Sequence, residues 1–214
     1  MFNLFLKEPH ELPKLINPKL TPEEMRIKIH KVKETFRNRF FFLRSFRYSE
    51  TEKEEEVFSL DRVIVDTVVE YRHSPIRNLQ VNITFEVEKD KIFLFRGYPE
   101  HIEYVIRNLF SNAYKAIDEK LCHTTFKPEI KISLCKKEKE YEILFFDNGI
   151  GIPEGCKIKN IGADSKQRTG TGIGLNIIQI VVSRYRGIFE ILSSKTGEDS
   201  GKTFIIQLPV SQEE

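Results

Sequence analysis

The chain has 214 residues, with 34 Lys and Arg against 32 Asp and Glu, 40% hydrophobic residues, 11 Gly and 9 Pro. That apolar fraction excludes a disordered, collagen-like or low-complexity chain and supports a buried core, and the length predicts one full domain plus an appendage, or two small ones. Cys122, Cys135 and Cys156 are odd in number and form no C-x-x-C pair, so neither a disulfide framework nor a zinc site is expected. No apolar run approaches the roughly 18 residues of a membrane span. The opening MFNLFLKEPH has neither a basic n-region nor a small-residue cleavage site, so cytoplasmic residence is the expectation.

The charge is uneven along the chain: residues 1–48 hold 11 basic and 5 acidic side chains, and the remainder 23 and 27. The basic residues alternate with apolar ones at helical spacing, which describes the solvated face of a helix rather than a nucleic-acid or membrane patch. No nucleic-acid partner is therefore expected. Pro9, Pro13 and Pro18 prevent a long helix over residues 1–20, which read as a linker or loop. Thr21-Pro22-Glu23-Glu24 then supplies an N-cap, a proline at the first helical position and acids in the first turn. A helix should follow to about residue 48, with Met25, Ile29, Val32, Phe36, Phe40 and Leu43 forming an apolar stripe that wants a partner.

The acidic run at 49–56 is a candidate hinge, so the globular domain is expected over 57–214. Within it, helices are expected at 61–71, 99–120 and 172–186. Strands are expected at 79–87, where apolar and polar residues alternate, and at 92–95, 130–134, 141–146, 188–192 and 203–208. Strands outnumber helices and several are sequence neighbours. The expected fold is α+β: a mixed, largely antiparallel sheet with helices on one face, a two-layer sandwich preceded by a helical segment.

Three segments stand out chemically. On the helix at 99–120, Ile102, Val105, Ile106, Leu109, Ala113 and Ile117 form the core face, and Asn108, Asn112 and Lys115 fall on a stripe beside it. Such a stripe can ligate hydrated Mg²⁺ and meet phosphate oxygens, and it also suits a merely solvated face. Asp147-Asn148-Gly149-Ile150-Gly151-Ile152-Pro153 places an acid at a strand end before two glycines. This suits either a hairpin turn or the close approach of a flat ligand whose exocyclic amine the carboxylate accepts. Gly170-Thr171-Gly172-Ile173-Gly174-Leu175 opens a helix, where exposed N–H groups suit polyphosphate. It is not a dinucleotide fingerprint, because Leu175 stands where the third glycine belongs and a loop precedes it. Gly201-Lys202-Thr203 imitates the end of a P-loop but leads into a strand.

In order and spacing these elements resemble the ATP-binding catalytic domain of bacterial sensor histidine kinases, within the wider gyrase, chaperone, histidine-kinase and mismatch-repair ATPase superfamily. Residues 106–113 are similar to its N box, 147–153 and 170–175 to its two glycine boxes, and 201–209 to its closing strand. The resemblance implies a two-layer α/β sandwich that binds ATP with Mg²⁺. Asn112 would coordinate the metal, Asp147 would read the adenine amine, and Lys115 would touch phosphate. Gly149, Gly151, Gly170, Gly172 and Gly174 would shape pocket and lid, and Ile152, Thr171, Leu175 and Thr203 would complete the nucleotide contacts. Residues 154–170 would form the lid, bringing Lys166 and Arg168 to the γ-phosphate. Asn108 stands where the hydrolysing members carry a glutamate that activates water. An amide cannot take that proton, so the resemblance implies γ-phosphoryl transfer, assisted by Asn108 and Lys115, rather than rapid hydrolysis.

Two features depart from the family pattern. Residues 158–165 contain no phenylalanine, where many kinases of this family have a phenylalanine-containing box. The phosphoacceptor is also displaced: His10 precedes helix-breaking Pro13 and Pro18, and His30 sits between Lys28 and Lys31 with no adjacent acid. The helix at 21–48 fits better as the second helix of a dimerisation and phosphotransfer hairpin. The implied protein is a homodimer, either free in the cytoplasm or the cytoplasmic part of a membrane sensor, whose partner is a response regulator and whose histidine lies upstream or on another chain. A partner-directed kinase of the anti-sigma-factor kind and a catalytically degenerate nucleotide-binding scaffold are the alternatives.

Overall fold

The computed structural model describes Thr21 and residues 54–72, 79–151, 173–194 and 200–210. Of the expected linker and helix before residue 49, all but the exposed Thr21 lie outside the described residues, as do His10 and His30. The elements run β1 (Glu56–Ser59), α1 (Leu60–Arg72), β2 (Asn82–Val87), β3 (Leu94–Gly97), α2 (Pro99–Leu121), β4 (Glu129–Lys136), β5 (Glu140–Asp147), α3 (Ile173–Arg184), β6 (Ile188–Ser194) and β7 (Gly201–Pro209).

Five strands form one sheet in the order β2-β4-β5-β7-β6. Only β2 and β4 run parallel, since β3 and α2 carry the chain back between them; every other pairing in the sheet is antiparallel. The expected mixed, largely antiparallel sheet is therefore present. A separate antiparallel ribbon of β1 and β3 was not foreseen. The strand expected at 92–95 is observed as Leu94–Gly97, and it lies in that ribbon and not in the five-stranded sheet. The Tyr141 hydroxyl ties the ribbon back, donating to Leu94 O at 2.9 Å.

Register makes the core legible. Ile132, Phe145, Phe204 and Ile191 stand opposite one another on four adjacent strands, and all four are buried. Two residues along, the same rung pattern gives Ile130, Asp147 and Lys202. The apolar face thus ends in an acid whose side chain points inward by simple alternation.

α2 is the central helix. Pro99 and Glu100 start it and Lys120 occupies its last turn, in accord with the helix dipole. The expected core face is buried, and Tyr104, Phe110, Tyr114 and Ala116 are buried as well. Its burial extends beyond one stripe because α1, α3 and β5 all pack against it. Tyr71 of α1 stacks on Phe110 at 4.3 Å between centroids, and Arg107 of α2 pairs with Glu70 of α1 and with Glu103.

Candidate functional site

One ridge of α2 organises the site. Asn108, Asn112, Ala116 and Lys120 recur at every fourth residue and so lie on one side of the helix. The expected stripe followed this ridge through Asn108 and Asn112 but then turned to Lys115, which is exposed. The ridge itself continues through Ala116 to Lys120, meeting the start of α3 at its first two members and the loop after β5 at its last two.

At its N-terminal end the ridge meets the start of α3. A Cβ added to Gly174 would lie 3.0 Å from Asn108 Oδ1 and 3.9 Å from Asn112 Nδ2, so glycine is what lets the two segments approach. Asn108 is buried and donates from Nδ2 to Tyr104 O at 2.8 Å, which fixes its amide and leaves Oδ1 towards Gly174. Asn112 Nδ2 is buried and has no hydrogen-bond partner among the described residues. Leu175 is half-buried in the first turn of α3.

In the middle, the loop after β5 lies against Ala116. Ile150 N donates to Ala116 O at 3.1 Å, and a Cβ on Gly149 would come within 2.7 Å of Ala116 and Ile117 backbone atoms. That contact requires Gly149, whereas Gly151 follows half-buried. Asn148 staples the loop to the entrance of β4: its Nδ2 donates to Lys127 O and its Oδ1 accepts from Glu129 N, both at 2.8 Å. Asp147 is 0% exposed. Its Oδ1 accepts from Gly149 N at 3.1 Å, while Oδ2 is buried with no hydrogen-bond partner among the described residues. Burial pushes its pKa from 3.8 up to about 6, against the opposing pull of Lys202, the Gly149 N–H and Lys120. The core thus holds a carboxyl group that burial makes harder to ionise and one of whose oxygens has no hydrogen-bond partner among the described residues.

At the C-terminal end stands Lys120, a residue the sequence reading missed. It is 5% exposed, and its ammonium donates to Asn148 O at 3.0 Å and Ser200 O at 3.2 Å. A lysine in the last turn of a helix looks like a dipole partner in sequence, and nothing local announces that it will be buried.

Thr203 lies apart from these groups. It pairs with Phe146 rather than Asp147, and strand alternation puts it on the face of the sheet away from the helices. Gly201, two residues earlier on the same face, likewise abuts the Phe146 ring. Lys202 is the residue opposite Asp147. The other nominated residues, Ile152, Lys166, Arg168, Gly170, Thr171 and Gly172, lie outside the described residues. The phenylalanine-free stretch at 158–165 does so too. A cavity of about 540 Å³ lined by Gln80, Val81, Asn82, Phe126, Lys127 and Pro128 includes none of the nominated residues. Among the described residues no three His, Cys, Asp or Glu side chains cluster as metal ligands, and no helix is long and apolar enough to cross a membrane.

The fold and these sequences have known counterparts. The sensor protein SrrB of Staphylococcus aureus strain MRSA252 is 27% identical over 162 residues, covering 72% of this chain and 26% of its own. The chain therefore spans about a quarter of the curated relatives it matches. Among solved structures, the catalytic domain of histidine kinase ThkA matches with a TM-score of 0.58 at 24% identity, over 73% of this chain and 98% of that one. The Acinetobacter baumannii histidine kinase AdeS matches with a TM-score of 0.59 at 14% identity, over 94% and 92%. The model of the histidine kinase-, DNA gyrase B- and HSP90-like ATPases matches residues 97–212, from the end of β3 through β7. That match spans more than half of the chain and takes in the asparagine ridge, Asp147 and the start of α3, and the chain accordingly belongs to this ATPase family.

Proposed function

We propose that residues 57–214 bind Mg²⁺-ATP and transfer its γ-phosphoryl to a histidine imidazole, for relay to an aspartate of a response regulator. The observation that carries this reading is Asp147, a fully buried carboxylate at the end of an apolar rung with Oδ2 lacking a hydrogen-bond partner among the described residues. A buried acceptor without a donor is costly, and the exocyclic amine of adenine supplies one. Gly149 and Gly174 support the same reading, because each leaves space at α2 that a Cβ would fill.

On this reading Asn112 holds the metal through its amide oxygen, since turning the amide exchanges nitrogen and oxygen at equal volume. Mg²⁺ supplies charge neutralisation on the phosphates. Lys115, Lys166 and Arg168 add positive charge there, and the backbone around Gly170, Thr171, Gly172 and Gly174 cradles the phosphates. Ile152 and Leu175 flank the nucleotide. Asn108 takes up no proton from water, so the phosphoryl group is kept for the imidazole. The helix at 21–48 pairs with a second copy. The acceptor is His10, His30 or a histidine on sequence or a chain beyond these residues, and the work is done in the cytoplasm.

Incubation of the purified chain with Mg²⁺ and γ-labelled ATP, alone and with a histidine-bearing helical hairpin from a related sensor kinase, tests this. The expected product is acid-labile, alkali-stable label on a histidine. Labelled inorganic phosphate released with no acid-labile label on any chain would overturn the transfer, and absence of ATP binding would overturn the whole reading.

A further inference from the structure

We propose that Lys120 is a positioning residue for base recognition: it ties the last turn of α2 to the Asn148 and Ser200 carbonyls and so holds the Asp147 carboxylate against the purine. This rests on the reading of Asp147 as the acceptor of the adenine amine. A lysine 5% exposed is unusual, because an ammonium leaves water only where polar partners replace its hydration. Here two carbonyls do so, one from the residue after Asp147 and one from the residue before β7, and Phe126 offers its ring face at 4.6 Å from Nζ. The Ser200 hydroxyl adds a bond to Gly149 O at 3.2 Å, so the loop after Asp147 and the residue before β7 are tied to each other and to one helix end. Lys120 touches no atom that reacts, and it acts through the loop.

A neutral side chain with one donor could serve as a strut, but not as a charge. The groups facing Asp147 are Lys202 from β7, Lys120 from α2 and, within its own loop, the Gly149 N–H. Both ammonium groups pull the carboxylate towards its ionised form against the effect of burial, which has raised its pKa to about 6. Removing the Lys120 charge leaves burial less opposed, so the carboxylate protonates at higher pH and accepts less well near neutrality.

The test is calorimetric titration of ATP into the full chain from pH 5.5 to 8.5, for the wild type and for K120M, K120Q, K120R, K202M and D147N. The pH midpoint of ATP affinity should rise by about half a unit to one unit in K120M and K120Q, which lowers affinity only about 1.2-fold to twofold at pH 7 but about twofold to fivefold at pH 6. K120R, which keeps charge and donors, should restore the midpoint. Should K120M fail to fold by circular dichroism, K120Q decides. A wild-type midpoint in K120Q, with D147N losing affinity and K202M shifting, would overturn the role of Lys120 while leaving the adenine reading intact. ATP affinity unchanged in D147N would instead overturn the adenine reading, and this proposal with it.

Discussion

Replacing Asp147 by Asn separates the requirement of the site from the preference of the fold. The two side chains are nearly isosteric, and an Asn Oδ1 can still accept the Gly149 N–H that Asp147 Oδ1 now accepts at 3.1 Å. The acid has an ordinary pKa of 3.8 in the unfolded chain and one of about 6 in the folded protein, raised chiefly by burial. The folded state therefore binds the proton more tightly. Its contribution is most favourable below pH 3.8 and is lost as pH rises through 6. The difference of about 2 pH units, at about 1.4 kcal/mol each, puts the cost of the ionised form at pH 7.5 near 3 kcal/mol. Asn cannot ionise, so D147N should stabilise the nucleotide-free protein by about 1–3 kcal/mol at pH 7.5, a rise in Tm of roughly 3–10 °C. At pH 4 most of that gain should vanish. ATP affinity should fall by about tenfold to a hundredfold, the worth of a hydrogen bond to a charged acceptor. Scanning calorimetry of both proteins at pH 4 and 7.5, with ATP titration at pH 7.5, measures each term. A variant less stable than wild type at pH 7.5, or stabilised equally at both pH values, would refute the argument from burial.

His101 works in the opposite direction over nearly the same range. Burial, helped by Arg184, lowers its pKa from 6.5 to about 4, so the unfolded chain takes up the proton first and stability falls as pH drops through that window. His101→Gln should therefore be less acid-sensitive than wild type in denaturant titrations between pH 6.5 and 4, and an equal slope would count against the assignment. Gly149→Ala should lower stability by about 1–3 kcal/mol, because its Cβ would meet α2 backbone that cannot move aside. Gly174→Ala should keep stability within about 1 kcal/mol, since Ala favours the helix while the 3.0 Å approach to Asn108 Oδ1 opposes it. Its ATP affinity should nonetheless fall severalfold as Asn108 gives way, and unchanged binding would show that this approach plays no part in the site. Thr203→Val, on the outer face opposite Phe146, should leave ATP affinity unaltered, whereas a tenfold loss would restore it to the site.

Local periodicity was enough for most of the elements and for part of the site. The 3.6-residue repeat of α2 marked Ile102, Ile106, Leu109, Ala113 and Ile117 as core and set Asn108 and Asn112 beside them, because a helix determines its own faces from within. The strand expected at 141–146 put Asp147 at its end, and the observed strand, one residue longer, sets it in line with Phe145 and Ile143. Pairing between distant segments was the part no local pattern held. The four residues of β1 are too few to show a period and become a strand only because β3 lies alongside. The β5–β7 register, which sets Lys202 rather than Thr203 opposite Asp147, depends on a partner more than fifty residues away, and a slip of one residue reverses the face. Lys120 is the clearest case. The sequence by itself determined that a helix would end there with a cation in its last turn. Only tertiary structure brought the Asn148 and Ser200 carbonyls to that cation, because its burial depends on backbone groups 28 and 80 residues further along.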